Sequence, residues 1–88
     1  MLKAQLGSKF KKDYKKAQKQ GRDVAILKEV MTRLQCQEKL DSKFRDHDLI
    51  GNWKGCRECH LESDWLLIYR IENESIVFIR TGSHSEVL

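Results

Sequence analysis

His60 and Asp64 stand four positions apart in Cys59-His60-Leu61-Glu62-Ser63-Asp64-Trp65, and His84 follows in Arg80-Thr81-Gly82-Ser83-His84. Unperturbed imidazoles titrate near pH 6.5, so they give and take protons at neutral pH, and a neighbouring carboxylate can orient them. Such a set suits metal-free cleavage of RNA. A base removes the ribose 2′-OH proton, the freed oxygen attacks the adjacent phosphorus, an acid protonates the leaving 5′-oxygen, and a cation holds the phosphoryl charge. Arg80 is the obvious cation. The competing reading lays Arg80 over the sheet surface with its head group in water.

The same stretch contains Cys56-x-x-Cys59-His60, the spelling of a c-type haem attachment and of half a zinc site. If residues 56–61 form a strand, alternation puts Cys56, Glu58 and His60 on one face and Arg57 and Cys59 on the other, so the two thiols point apart. Zinc would need a second ligand pair, with partners about two to five residues apart. Cys36 and His47 are eleven apart. The cysteines therefore read as small half-buried residues, with no metal and no cofactor expected. Three cysteines and no export signal point to reduced thiols in the cytoplasm.

The elements that must position these groups follow from periodicity. Residues 2–6 alternate as a short strand. Ser8 is the expected N-cap of a first helix, whose stripe of Phe10, Tyr14 and Ala17 ends near Gly21. Asp23 can cap a second helix with Val24, Leu27, Val30, Met31 and Leu34 on its apolar face. Residues 35–54 show no sustained period and read as a long ordered loop. Strands are expected at 56–61, 65–72 and 75–81, the middle one, Trp65-Leu-Leu-Ile-Tyr-Arg-Ile71, central and covered on both faces. The fold class is α+β, in the order β-α-α-β-β-β, in a single domain over residues 1–88.

An Asn73-Glu74 turn would set Arg80 opposite Leu67 and Ser83 opposite Asp64, and a Glu62-Ser63 turn would set His60 opposite Trp65, beside Asp64. A slip of one residue swaps faces but keeps His60, Asp64 and His84 at the same end of the sheet.

The 88 residues carry 17 Lys and Arg against 13 Asp and Glu, and the excess lies in the N-terminal quarter. Between Lys9 and Arg22, seven basic residues (Lys9, Lys11, Lys12, Lys15, Lys16, Lys19, Arg22) face Asp13 alone. A solvated helix face does not require so one-sided a run, which would grip a phosphate backbone with little sequence preference. No run reaches the roughly 20 apolar residues needed to cross a bilayer, so a membrane partner is not expected.

Asp46-His-Asp-Leu-Ile-Gly51, Arg57-Glu-Cys-His-Leu-Glu-Ser-Asp64 and Arg80-Thr-Gly-Ser-His84, at this spacing and in this order behind two helices, closely resemble the YafQ branch of the RelE-type toxins of bacterial toxin–antitoxin pairs, over essentially the whole chain. The resemblance implies a microbial-RNase-like fold, two helices packed on a twisted antiparallel sheet. It also implies a ribosome-dependent endoribonuclease that cuts mRNA in the A site, beside rRNA. Its partner would be a cognate antitoxin of ribbon-helix-helix, DinJ-like type, through which operator DNA is reached. Carried over by residue, the resemblance makes His47, His60, His84 and Asp64 catalytic, with Glu58 and Arg80 at positions implicated in some relatives. One scheme uses His84 and Asp64 for proton transfer, with His47, His60 and Arg80 at the phosphate. Leu88 stands where relatives commonly carry a Phe that can stack on a base. That departure keeps open an alternative, an RNA- or antitoxin-binding module with a weakened or lost nuclease site.

Overall fold

Phe10, Tyr14 and Ala17 share one side of a segment otherwise made of lysine, glutamine and Asp13, and that stripe is what packs inward. In the computed structural model, which describes residues 1–88, the segment is helix α1, Ser8–Lys19, with Phe10 and Ala17 buried. Its N-cap is Gly7, one residue before the expected Ser8. Gly7 donates its N–H to the Phe78 carbonyl at 3.0 Å, and a Cβ there would come within 3.2 Å of that oxygen, so the chain enters the helix through a contact suited to glycine. Gly21, at φ 74°, ends the helical turn as expected. Helix α2, Val24–Gln35, is capped by Asp23, whose carboxylate accepts from the Ala25 N–H at 3.1 Å, and it buries Leu27, Val30 and Leu34.

Five strands form one sheet: β1 (Lys3–Leu6), β2 (His47–Asp48), β3 (Arg57–Glu62), β4 (Trp65–Glu72) and β5 (Ser75–Gly82), in the order β1-β5-β4-β3-β2. Strand β4 lies at the centre, and its residues Trp65 to Tyr69 are buried. Alternation sorts its side chains. Leu67 and Tyr69 join Cys59, Phe78 and the helix residues in the main core, whereas Leu66 and Ile68 join Cys56 and Val87 in a smaller core on the other face. Cys56 and Cys59 thus enter separate cores, both as free thiols, and both are buried more fully than half. Burial pushes the Cys59 thiol up to about 12, so it stays protonated.

The α+β class and the two helices on a sheet hold, and the details add three corrections. The sheet is mixed, because β1 runs parallel to β5, from Lys3 opposite Ser75 to Leu6 opposite Phe78. The two strands are separated by most of the chain, so no hairpin turn forces them antiparallel. The expected loop holds a turn of 3-10 helix at Ser42–Phe44, the strand β2 and a second such turn at Gly51–Trp53. Two polar strand residues are too few to show a period. Finally, a short helix α3, His84–Val87, follows β5. Ser83 and Glu86 close a capping box at its start, the S-x-x-E pattern visible in Ser83-His-Ser-Glu86.

Register also differs from expectation. Near the Asn73-Glu74 turn the pairing is as counted, with Glu72 opposite Ser75 and Ile71 opposite Ile76. A shift between Ile68 and Tyr69, which leaves Ile79 as the extra residue, then puts Arg80 opposite Ile68 instead of Leu67. In the other hairpin the turn is Ser63-Asp64, with Glu62 opposite Trp65. From that turn His60 would face Leu67, and a shift at Leu61 puts it opposite Leu66, where a Glu62-Ser63 turn predicts Trp65. Each bulge adds one residue to a strand and increases its local twist, which a count of turn residues cannot reveal.

Candidate active site

Three elements bring the histidines together. His47 comes from edge strand β2, His60 from β3, and His84 is the first residue of α3. The His60 ring stands between the others, its centroid 6.0 Å from His47 in a stacked pose and 5.9 Å from His84 in a tilted one.

His47 pairs opposite Glu58, so the two side chains share a face with His60, two residues further along β3. Glu58 is only 3% exposed, and its Oε1 lies 3.1 Å from His60 Nε2 and 4.0 Å from His47 Nε2. A carboxylate can only accept, so the His60 proton sits on Nε2 facing Glu58, and the buried Nδ1 has no partner. Burial holds the His60 pKa below its ordinary value against the pull of Glu58, and the charges of Arg45, His47 and His84 act in the same direction as burial. His60 is therefore neutral at pH 7.

The outer two histidines are each tethered through Nδ1. The Arg45 carbonyl lies 2.6 Å from His47 Nδ1, which must be the donor, leaving Nε2 free of a close partner. Asp64, in the β3–β4 turn, accepts the His84 backbone N–H at 3.2 Å and lies 3.2 Å from His84 Nδ1. Those two hydrogen bonds from His84 hold the Asp64 pKa below its usual range. Both outer imidazoles are about half exposed, whereas His60 is mostly covered. Asp64, expected near both His60 and His84, meets His84, and His60 takes Glu58 instead.

Two polar networks that the sequence reading missed fix the outer histidines. On the main-core face, the Tyr69 hydroxyl donates to Asp46 Oδ1 at 2.5 Å, and Arg57 bonds Tyr69 (3.3 Å), Asp48 (2.7 Å) and Asp46 (3.3 Å). Arg57 and Tyr69 thereby hold the two aspartates that flank His47 and turn the imidazole to the opposite face. Asp-His-Asp is a three-residue alternation and was the available signal. Burial and the bond to Asp46 raise the Tyr69 pKa. In the second network, Arg80 donates through Nε and Nη2 to Asp13 at 2.7 and 3.1 Å, and the Thr81 N–H reaches the same carboxylate at 3.1 Å. Arg80 Nη2 also lies 3.4 Å from the Glu86 carbonyl, and the Glu86 carboxylate pairs with Lys16 and accepts the Ser83 N–H at 2.9 Å. These bonds tie α3, and with it His84, to α1. The signal here was Asp13, the one acid in the basic run.

The expected RNA-binding residues spread over several surfaces. Lys9, Lys11, Lys12, Lys15, Lys16 and Lys19 are exposed along α1. Lys11 and Lys15 border an apolar groove with Phe10, Tyr14 and Met31. Arg22 lies 5.3 Å over the Trp65 ring, and its charge helps to lower the Asp64 pKa. Leu88 closes α3, half exposed, with its N–H on the His84 carbonyl at 3.0 Å. No three His, Cys, Asp or Glu side chains are grouped so as to hold a metal ion, and no helix is long and apolar enough to cross a membrane.

The chain is 43% identical over 77 residues, 86% of its own length and 84% of the relative's, to the mRNA interferase toxin YafQ of Escherichia coli strain K12. Its fold superposes with a TM-score of 0.96 on a copper-bound mutant toxin from Helicobacter pylori, at 42% identity and covering 100% of both chains. The toxin in the DinJ–YafQ complex of E. coli gives 0.91 at 37% identity, covering 100% of this chain and 99% of that one. Residues 2–88 match the family described as the bacterial toxin of type II toxin–antitoxin system, YafQ. The chain therefore belongs to the YafQ family of type II toxin–antitoxin toxins.

Proposed function

We propose that this toxin is an endoribonuclease that cuts mRNA on the ribosome by metal-independent 2′-OH attack, and that a DinJ-like antitoxin silences it. The observation that carries the reading is the trio itself: two exposed imidazoles, each anchored through Nδ1 with Nε2 left for substrate, on either side of a buried His60–Glu58 pair. The relatives' activity as mRNA interferases and the DinJ–YafQ assembly support it.

In this scheme His84 and Asp64 act as a dyad. Asp64 fixes the ring through Nδ1 and faces the positive charge that the imidazole carries when it holds a second proton, so Nε2–H can be given to the leaving 5′-oxygen. His47, locked by the Arg45 carbonyl in the tautomer with Nε2 unprotonated, takes the 2′-OH proton. His60, oriented by Glu58, packs between them at the phosphate. Arg22 and the lysines of α1 supply the positive field that holds mRNA and rRNA. Such a toxin acts in the cytoplasm, where the ribosomes are.

Expression of the toxin without antitoxin tests the reading. It should arrest growth and leave 5′-hydroxyl ends on ribosome-bound mRNA, insensitive to chelator, and His84→Gln should abolish both. If neither wild type nor His84→Gln arrests growth or cuts mRNA while ribosome binding persists, the chain is a binding module, a role to which the aliphatic Leu88 end would also be suited; if both cut alike, His84 is not the acid. Loss of cleavage on chelation that added metal restores would refute the metal-independent route.

A further inference from the structure

Beside the histidine trio lies a cavity of about 310 Å³ between the start of α2, the turn at Ser42–Phe44 and the end of β3. His60 forms part of its wall, so the cavity and the catalytic cluster share a side chain. Phe44, Lys43 and Arg45 line it as well. The Phe44 ring is only partly buried, and the Lys43 ammonium lies over it, 5.2 Å from the ring centroid, on an exposed side chain. Arg45 sits in the left-handed region at φ 47° although it is not glycine, a strained conformation of the kind that persists at functional sites, and its carbonyl anchors His47. Glu62 adds a carboxylate acceptor near the mouth. An aromatic ring, two cations and an acceptor next to His60, which the scheme above places at the phosphate, match what single-stranded RNA offers: a flat base, a phosphate on either side, and N–H groups on the base edge.

We propose that this cavity is the subsite for the nucleotide adjoining the scissile phosphate, with its base stacked on Phe44 and its phosphate taken by Lys43 and Arg45. Lys43 then leaves the ring for the phosphate, and the base takes its place. The subsite deepens the nuclease reading above and rests on it. It also places a stacking aromatic on the trio's flank in a chain whose C-terminal position is Leu88.

The test compares wild type, Phe44→Leu and Phe44→Tyr on mRNA-programmed ribosomes, with mapped 5′ ends, thermal melting and antitoxin affinity measured in parallel. Leucine keeps the apolar bulk and removes the ring face. Phe44→Leu should lose about 5- to 150-fold in kcat/KM, the range that base–aromatic stacking spans, and should redistribute the cut positions, while Phe44→Tyr keeps both. Lys43→Gln should lower the slope of binding against log salt by about one contact. Wild-type cleavage with Phe44→Leu equal in rate and position overturns the subsite alone. A change in antitoxin affinity with cleavage unaltered overturns it in favour of a protein-binding pocket. A wild type that cuts nothing overturns the nuclease reading and the subsite together.

Discussion

Replacing Asp13 by Ala should unfasten the C-terminal helix, and the size of the effect follows from the contacts. The Asp13 carboxylate accepts from Arg80 Nε at 2.7 Å, Arg80 Nη2 at 3.1 Å and the Thr81 backbone N–H at 3.1 Å. Its side chain is 13% exposed and that of Arg80 21%, so water can replace little of what is lost. A hydrogen bond to a charged group contributes about 1.5–3 kcal/mol, and breaking a buried ion pair by removing one partner costs about 3–5 kcal/mol. Partial exposure of this pair places Asp13→Ala at the lower end, about 3 kcal/mol. For a domain of this size that corresponds to a fall in Tm of roughly 12–24 °C, at about 4–8 °C per kcal/mol. Denaturant melts of wild type, Asp13→Ala, Arg80→Ala and the double variant form a cycle. The double variant should cost about 2 kcal/mol less than the sum of the single ones, since neither charge is left without its partner. The alternative role, Arg80 as a cation on the scissile phosphate, predicts the reverse pattern. A melt of Asp13→Ala within about 0.5 kcal/mol of wild type, the scatter of an ordinary surface substitution, combined with an Arg80→Ala variant that melts normally but no longer cleaves, would refute the structural account of Arg80.

Two further outcomes follow from the same surfaces. The Lys16 ion pair and the Ser83 N–H lower the Glu86 pKa from 4.5 to about 2, so the stability this carboxylate contributes is fully present above 4.5 and disappears as pH falls towards 2; Glu86→Gln should melt lower at neutral pH and show a flatter acid limb, and equal acid limbs would count against the docking of α3 through Glu86. Replacing Lys11, Lys12, Lys15 and Lys19 by Gln should weaken ribosome binding and reduce its salt slope by about four contacts with the melt unchanged. Lys16 is left in place because it pairs with Glu86, and an unaltered salt slope would remove α1 from the RNA-binding surface.

Much of the architecture is legible because it depends on local pattern. The Phe10, Tyr14, Ala17 stripe, the Asp23 cap, the Gly21 stop and the long apolar run from Trp65 each report a short-range preference, and the helices and the three long strands appear where those preferences put them. The opposite facing of Cys56 and Cys59 was likewise readable, since alternation along a strand needs only the strand. The Ser83–Glu86 capping box is present in the sequence but lies just beyond the last strand, with too few residues after it to show a helical period.

The partners of the histidines were legible only in part: the turn count brought Asp64 close to His84, but not Glu58 against His60 or the Arg45 carbonyl against His47. Which carboxylate meets which imidazole depends on two one-residue bulges, at Leu61 and Ile79, and on the pairing of a two-residue strand with β3, and both are settled by how the sheet twists to fill two cores. Composition and spacing pointed to a small basic α+β domain with His60, Asp64 and His84 at one end of its sheet. Only the folded chain closed the Asp64–His84 contact across 20 residues and the Arg80–Asp13 pair across 67, because such bonds exist only once tertiary packing has brought the backbones together; Glu58 with His60 and the Arg45 carbonyl with His47 are neighbours in sequence, and there the structure settled the rotamers.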